Sequence, residues 1–286
     1  MTGLRGQGAT IALTALAMLA FAGNSVLCRL ALGGELIDAA SFASVRVLSG
    51  AVVLVLLVGL RSPAALRASP NWPMVAGLFC YMVFFAFAYV TLSTGTGALI
   101  LFCAVQLTMF AVALRSGERF GAVSWFGLVL AIAGLVYLVS PGVTAPDPAG
   151  AGLMVIAGIA WGAYSLFGRG SNDPLADTAS NFLMCVPPVV VVSLLFRDEV
   201  LLTGRGLLLA VVSGGLTSGI GYAIWYEALK GLTAARAATV QLSVPAIAAM
   251  GGVVLLAEDL TARLLLASIA TLGGVALVLS QRVRAS

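Results

Sequence analysis

Two segments of the chain match each other: FAGNSVLCR at residues 21–29 and WGAYSLFGR at residues 161–169. The match pairs Arg29 with Arg169 at an offset of 140 residues. Both segments lie inside long apolar runs, and further short matches follow each of them along the chain. The sequence therefore predicts an internal repeat of about half the chain length.

The composition indicates a membrane protein and excludes a water-soluble fold. Of the 286 residues, 61% are hydrophobic and 9% are charged, whereas a soluble domain carries about 25% charged residues. The apolar runs are about 20 residues long, which is the length that a helix needs to cross a bilayer core about 30 Å thick. We predict an all-α integral membrane protein with ten transmembrane helices, near residues 9–32, 39–60, 72–92, 97–114, 122–140, 150–168, 178–196, 206–229, 233–256 and 262–280.

The repeat and the span count together predict an inverted architecture. Residues 1–145 and residues 146–286 contain five predicted spans each, so the second copy enters the membrane from the side opposite to the first. Inverted five-helix repeats are typical of secondary transporters, in which the substrate site lies near the midplane between the halves. The repeat therefore favours a carrier, although it selects no substrate.

The distribution of cations predicts the orientation, because cytoplasmic segments collect Lys and Arg. Alternate segments on the side of the termini hold ten such residues, and segments on the other side hold three. We expect both termini in the cytoplasm and the chain in a bacterial inner membrane. The ten are Arg5, Arg61, Arg67, Arg115, Arg119, Arg169, Lys230, Arg236, Arg282 and Arg284, and the three are Arg197, Arg205 and Arg263.

The first span has a second interpretation. Arg5, the apolar run after it and the small residues near position 20 imitate a cleaved signal peptide. The apolar run, however, continues to Leu32, and the repeat match extends beyond the supposed cleavage site. We therefore expect the first span to be retained.

A set of short motifs resembles one known family. The first half has FAGNS at residues 21–25, Arg46 eight residues after Asp38, and Gly117-Glu118-Arg119 followed by Gly134; the second half has Leu229-x-x-x-Thr233, Pro245, Glu258 and Gly273-Gly274. With these motifs the chain resembles the drug/metabolite transporter superfamily, in its bacterial ten-span EamA-type form, over residues 9–280. Within the superfamily it is most similar to YddG-type exporters of aromatic and other neutral amino acids.

The resemblance implies export of small neutral metabolites, above all aromatic or apolar amino acids, by alternating access. Two features depart from the family pattern. Phe21 stands where the family usually has Trp, and the spacing from Gln106 to Glu118 is five residues shorter than that from Gln241 to Glu258. We therefore expect the fourth span to be short or broken.

Four predicted spans carry faces that mix aromatic rings with small or polar residues at helical spacing. A cavity with such walls would hold an apolar or aromatic solute, while a few amides and hydroxyls orient it. The alternative is that the rings only fill space between helices, and that the amides of Gln106 and Gln241 join helices. The candidate substrate-binding residues are Asn24, Ser25, Tyr81, Phe85, Gln106, Trp161, Tyr164, Tyr222, Trp225 and Gln241.

Charges and prolines within the spans are the candidates for gating or structural roles: Arg46, Pro187, Pro188, Glu227 and Pro245. Arg46 either ties helices together or attracts a substrate carboxylate. Glu227 is the only carboxylate inside a predicted span, and Lys230 three residues later offers it an ion pair. Arg29, near the end of its span, could reach the membrane surface. Because the chain has no His and no midplane carboxylate, we expect downhill transport without proton coupling.

Other classes of function are less compatible with the sequence. The same aromatic faces would suit a carrier of lipophilic or cationic drugs, and a membrane scaffold or sensor is a further alternative. An intramembrane enzyme would need clustered catalytic groups at depth, which this sequence does not offer. The four cysteines are expected to be buried thiols, no metal, cofactor or nucleic-acid site is predicted, and the oligomeric state stays open.

Overall fold

The computed structural model describes residues 2–62, 70–168 and 170–280, without the side chains of residues 2–6, 234 and 235. Within these ranges the protein is all-α, with one isolated β-bridge between Ile37 and Leu202 and no strand. The predicted all-α membrane class is confirmed. Five cations of the predicted charge bias lie outside the described side chains: Arg5, Arg67, Arg169, Arg282 and Arg284.

The described chain forms twelve α-helices. The first half contains α1 (Thr2–Leu32), α2 (Ala39–Arg61), α3 (Trp72–Ala88), α4 (Thr94–Arg115) and α5 (Ala122–Val139). The second half contains α6 (Pro148–Phe167), α7 (Pro174–Leu195), α8 (Gly204–Val212), α9 (Gly221–Leu229), α10 (Ala234–Gln241), α11 (Ser243–Leu256) and α12 (Ala262–Ser280).

Short polar side chains fix where several of these helices begin. Each accepts a hydrogen bond from a backbone N–H of the first turn, which has no partner inside the helix. These caps are Asp38, Asn71, Asp147, Asp173, Thr203 and Thr233. The charged and hydroxylated residues between the apolar runs thus set the span boundaries.

Nine helical stretches of the described chain are long and apolar enough to cross a membrane. The predicted third span is the shorter helix α3, which has 17 residues and ends at Ala88 instead of residue 92. A span of 17 residues is at the lower limit for a bilayer core about 30 Å thick. The protein is therefore a multi-pass membrane protein, whose described residues form nine helices long enough to span the membrane and one short apolar helix.

Two spans of the second half are irregular. The stretch from α8 to α9 passes through a π-helical segment, Ser213–Ile220, which lies inside one continuous apolar helix, Gly204–Leu229. The next span is interrupted at Leu242, between α10 and α11, just before Pro245. Pro245 has no N–H to donate to the preceding turn, which explains the interruption.

The expectation of a short or broken fourth span is wrong. Helix α4 runs without interruption for 22 residues. Gln106 lies 12 residues after the first residue of α4, whereas Gln241 lies 7 residues after the first residue of α10. The five-residue difference therefore reflects the depth of each glutamine along its helix, and the break belongs to the ninth span.

Helix packing joins the two halves along their whole length. Helix α5 packs on α12, α2 on α7, and α4 on α11; α6 packs on α3 and α4, and α1 packs on α9 and α11. Glycines permit the closest approaches, as the Gly-x-x-x-Gly spacing of residues 158 and 162 predicts. A Cβ placed on Gly158 would lie 2.5 Å from the Cβ of Ala104 in α4.

Candidate substrate cavity

A cavity of about 360 Å³ lies between the two halves. Its walls come from α1, α3, α4, α6, α7, α9 and α10. This volume falls within the range of about 300–1,000 Å³ typical of small-molecule sites. The cavity is thus large enough for a compact metabolite.

The structure brings together all ten residues predicted to bind substrate. Each of them borders this cavity, although they come from six different helices. Phe21, Tyr226 and Ser165 border it as well, as their positions on the same helical faces indicate. Whether these side chains contact a substrate stays a prediction.

The aromatic residues of the cavity form a connected wall around Trp161. The indole of Trp161 stacks on Tyr164 with a centroid distance of 5.2 Å and on Tyr222 at 5.5 Å. The ring of Tyr81 tilts against Trp161 at 4.8 Å and against Phe85 at 5.3 Å. Such a wall offers ring faces and edges for stacking with an aromatic solute.

Polar side chains interrupt this apolar wall in two places, at Gln106 and Gln241 and at Asn24. Gln106 and Gln241 border the cavity, and neither side-chain amide has a protein hydrogen-bond partner within the described chain. The side-chain oxygen of Asn24, in contrast, accepts hydrogen bonds from the hydroxyls of Ser213 at 2.9 Å and Thr217 at 2.6 Å. Asn24 therefore joins α1 to the π-helical segment, while the two glutamines keep free polar atoms beside the cavity.

Arg46 lies behind the aromatic wall and is fully buried. Its Nη2 donates to the Tyr81 hydroxyl at 3.2 Å and to Ser218 Oγ at 3.4 Å. The guanidinium carbon lies 4.8 Å from the centroid of the Phe85 ring and 5.5 Å from that of Tyr81. The predicted tie between helices is present, since Arg46 of α2 contacts α3 and the π-helical segment.

A polar cluster joins the helix ends at one end of the bundle, which we call the Glu258 end. Arg29 Nε lies 3.3 Å from Glu258 Oε1, and Arg29 Nη1 donates to the backbone oxygens of Tyr89 and Val90. Glu258 also accepts the backbone N–H of Thr94 at 2.9 Å. Protein groups at the ends of α3 and α11 thus hold the Arg29 guanidinium, and a position of Arg29 at the membrane surface stays a prediction.

The cavity reaches the opposite end, which we call the Asp177 end. Gly168 and Ser171 of the α6–α7 connection and Asp177 of the first turn of α7 border it there, and none of the residues of the Glu258 cluster does. Arg61 and Asp173 form an ion pair of 2.7 Å at the same end. The cavity therefore extends toward the Asp177 end and stops short of the Glu258 cluster.

The position of Asp177 revises the expectation about carboxylates. Asp177 lies in the first turn of α7, the helix end that the sequence indicates, but it also borders the mouth of the cavity. Its Oδ2 accepts a hydrogen bond from Ser171 at 2.5 Å. One carboxylate of the described chain therefore borders the mouth of the cavity.

The remaining predicted gating residues lie outside the cavity lining. Glu227 is exposed and pairs with Lys230 at 2.6 Å, as the ion-pair interpretation predicts. Helix α7 continues through Pro187 and Pro188, of which Pro187 is exposed. Pro245 is buried beside the interruption of the ninth span. Only Pro245 is thus associated with a visible irregularity.

The hydroxyls of the π-helical segment are not among the residues predicted from the sequence. Ser213, Thr217 and Ser218 are buried, and each donates a hydrogen bond to the side-chain oxygen of Asn24. The available signal was the segment SGGLTSGI, in which small and hydroxylated residues interrupt an apolar run. Such residues permit close packing and interhelical hydrogen bonds in membranes.

Comparison with known proteins matches the second half of the chain to one family. Residues 148–280 match the EamA-like transporter family. The chain is 50% identical over 274 residues to the uncharacterized protein PA1977 of Pseudomonas aeruginosa, covering 96% of each chain. It is 25% identical over 195 residues to an uncharacterized transporter of Archaeoglobus fulgidus, covering 66% of this chain and 69% of the relative.

A solved crystal structure supports the fold. It aligns with a TM-score of 0.65 at 19% sequence identity, over 93% of this chain and 98% of that structure. At this identity the likeness concerns the fold alone. The family match over residues 148–280 and the archaeal relative support a place in the drug/metabolite transporter superfamily, and they indicate a membrane transporter of small molecules.

Proposed function

We propose that the protein is a secondary carrier that exports small neutral metabolites, first among them aromatic or apolar amino acids. The observation that carries this proposal is the cavity, where a connected aromatic wall around Trp161 lies beside the free amides of Gln106 and Gln241. An aromatic side chain would stack on the rings, while the amides and hydroxyls would orient the polar end of the solute.

We further propose that residues 1–145 and 146–286 are inverted halves that move against each other. A twofold axis relating the halves exchanges the first span with the sixth, the second with the seventh, and so on. The helix contacts support this exchange: α2 with α7, α4 with α11 and α5 with α12 are pairs of equivalent spans. The packing of α6 on α3 has its counterpart in that of α1 on α9.

Alternating access follows from this arrangement. The cavity is accessible at the Asp177 end, and the Arg29–Glu258 cluster closes the other end. With both termini in the cytoplasm of a bacterial inner membrane, the Asp177 end faces inward and receives the exported solute. Transport is downhill, because neither a histidine nor a midplane carboxylate offers a proton relay.

Transport assays with purified protein in liposomes test the substrate. We expect saturable uptake of radiolabelled phenylalanine, tyrosine or leucine, with mutual competition among them. A carrier of lipophilic or cationic drugs is the second candidate, since Asp177 places a negative charge at the mouth of an aromatic cavity. Competition by hydrophobic cations, without transport of any amino acid, would favour that candidate and contradict the first.

A further inference from the structure

Arg46 is a buried cation without an opposite charge. Its side chain is fully buried, and no carboxylate of the described residues lies within 4 Å of its nitrogens. Nη1 has no hydrogen-bond partner in the described chain. Removing a charge from water is costly unless the charge is paired, and the attraction of two aromatic rings compensates only part of that cost.

The hydrogen bonds of Arg46 lead toward the cavity. Arg46 donates to the hydroxyl oxygen of Tyr81, and Tyr81 borders the cavity. Because that oxygen accepts, the hydroxyl proton of Tyr81 stays available, and no acceptor for it is present among the described residues. A hydroxyl that accepts from a cation becomes a stronger donor, since neighbouring hydrogen bonds polarise one another.

A second branch of the network leads to the same wall. Arg46 donates to Ser218 Oγ at 3.4 Å, and Ser218 donates in turn to the side-chain oxygen of Asn24 at 3.3 Å. Asn24 also borders the cavity. The positive charge therefore lies directly behind two cavity side chains, in a low-dielectric surrounding where its field is only weakly screened.

We propose that Arg46 and Tyr81 form the carboxylate-binding end of the cavity, so that the transported solute carries an anionic group. The Tyr81 hydroxyl donates a hydrogen bond to the carboxylate, and the positive charge of Arg46 compensates the negative charge of the carboxylate. The apolar part of the solute then lies against Trp161, which contacts the Tyr81 ring. This inference rests on the proposed function and narrows it: the positive end excludes solutes whose only charge is positive.

Binding of four small probes tests this assignment without relying on transport. We would titrate detergent-purified protein with phenylalanine, 3-phenylpropionate, phenylalaninamide and phenethylamine, and follow the fluorescence of Trp161 and Trp225 in the cavity wall. The first two probes carry a carboxylate, and the last two do not. We expect the carboxylates to bind about tenfold tighter or more, because a hydrogen bond to a charged group contributes about that factor.

Two variants and one control complete the test. Tyr81→Phe removes the donor and keeps the ring, while Arg46→Gln removes the charge; both should abolish the preference for carboxylates. Tyr137→Phe deletes a hydroxyl from an exposed ring outside the cavity and should preserve it. Tyr81→Phe keeps the test decisive if Arg46→Gln does not fold.

Several outcomes would overturn the assignment. These are equal or tighter binding of phenethylamine, no binding of any probe, or an unchanged carboxylate preference in Tyr81→Phe. Phenylalanine flux into liposomes is measured separately. A carboxylate preference without such flux would refute the proposed function and leave the carboxylate site supported.

Discussion

At the scale of single residues, Trp161 is the side chain around which the aromatic wall is arranged. It stacks on two tyrosines and touches a third. Each aromatic pair contributes about 0.5–1.5 kcal/mol beyond the area it buries. An aromatic substrate that stacks on this wall would depend on Trp161 both directly and through the positions of Tyr81 and Tyr222.

Replacing Trp161 tests that dependence. We expect Trp161→Ala to raise the half-saturation concentration for an aromatic amino acid about tenfold, which corresponds to about 1.4 kcal/mol. The measurement is initial uptake into liposomes over a range of phenylalanine concentrations. Trp72→Ala is the matched control, because Trp72 is exposed at the start of α3 and distant from the wall. Equal kinetics for Trp161→Ala and Trp72→Ala would exclude a binding role for the wall.

Asn24 is the residue whose main contribution is structural. Its side-chain oxygen accepts from three buried hydroxyls. In Asn24→Ala the hydroxyls of Ser213 and Ser218 lose this acceptor, whereas that of Thr217 keeps the backbone oxygen of Ser213 at 2.9 Å, and we expect the free energy of unfolding to fall by about 1–3 kcal/mol. Thermal unfolding of the purified variant measures the effect. An unchanged midpoint would mean that the hydroxyls find other acceptors.

At the scale of helices, hydropathy and charge predict the spans well because the bilayer thickness fixes their length. The deviations have local causes. The small and hydroxylated residues of Ser213–Ile220 interrupt an apolar run, but hydropathy does not show that the segment is π-helical, because that difference lies in the backbone hydrogen-bond pattern. A break in the fourth span is expected only if Gln106 and Gln241 occupy equivalent positions in their helices. In the structure the two glutamines lie at different distances from the first residues of their helices.

The contact of α4 with α6 depends on a glycine, and a matched pair of substitutions tests it. Gly158 faces Ala104, whereas Gly152 on the same helix has open space around it. We expect Gly158→Leu to destabilise the protein by about 1–3 kcal/mol or more, through forced separation of the helices. Gly152→Leu should unfold at the temperature of the unmodified protein. Equal midpoints for the two variants would show that the helices adjust without cost.

The cavity could be predicted residue by residue, but its depth and its closure could not. Eight of the ten candidate residues come from periodic faces and two, Gln106 and Gln241, from matched repeat positions, and all ten line one cavity because helical spacing determines which side chains share a face. Helical periodicity does not predict which carboxylate between the helices pairs with Arg29. Glu258 and Arg29 are 229 residues apart in the chain, and only the packing of α1, α4 and α11 brings them together.

At the scale of the whole molecule, we expect the Arg29–Glu258 cluster to keep one end of the cavity closed. Glu258 joins Arg29 to the start of α4, so Glu258→Gln removes both the ion pair and a charged acceptor. Cys28, adjacent to Arg29, is fully buried in this state and reports on opening. We expect a membrane-impermeant maleimide, applied from the outside, to label Cys28 at least about threefold faster in Glu258→Gln.

The labelling experiment needs one background and one control. Cys80, Cys103 and Cys185 are replaced by alanine in every variant, so that Cys28 is the only thiol. Glu35→Gln removes a carboxylate from the α1–α2 connection at the same end, where no ion pair holds it within the described chain. Equal labelling of the two variants would contradict a closing role for Glu258.

We propose that the two halves of the chain carry one solute at a time by alternating access through this cavity. Counterflow tests it most directly: liposomes loaded with unlabelled phenylalanine are diluted into a trace of the labelled amino acid, with and without a pH gradient. We expect the labelled amino acid to accumulate transiently, only when phenylalanine is present inside the liposomes, and to the same extent with and without the pH gradient. Uptake that does not depend on internal phenylalanine would contradict a carrier mechanism. Accumulation that depends strictly on the pH gradient would contradict downhill transport.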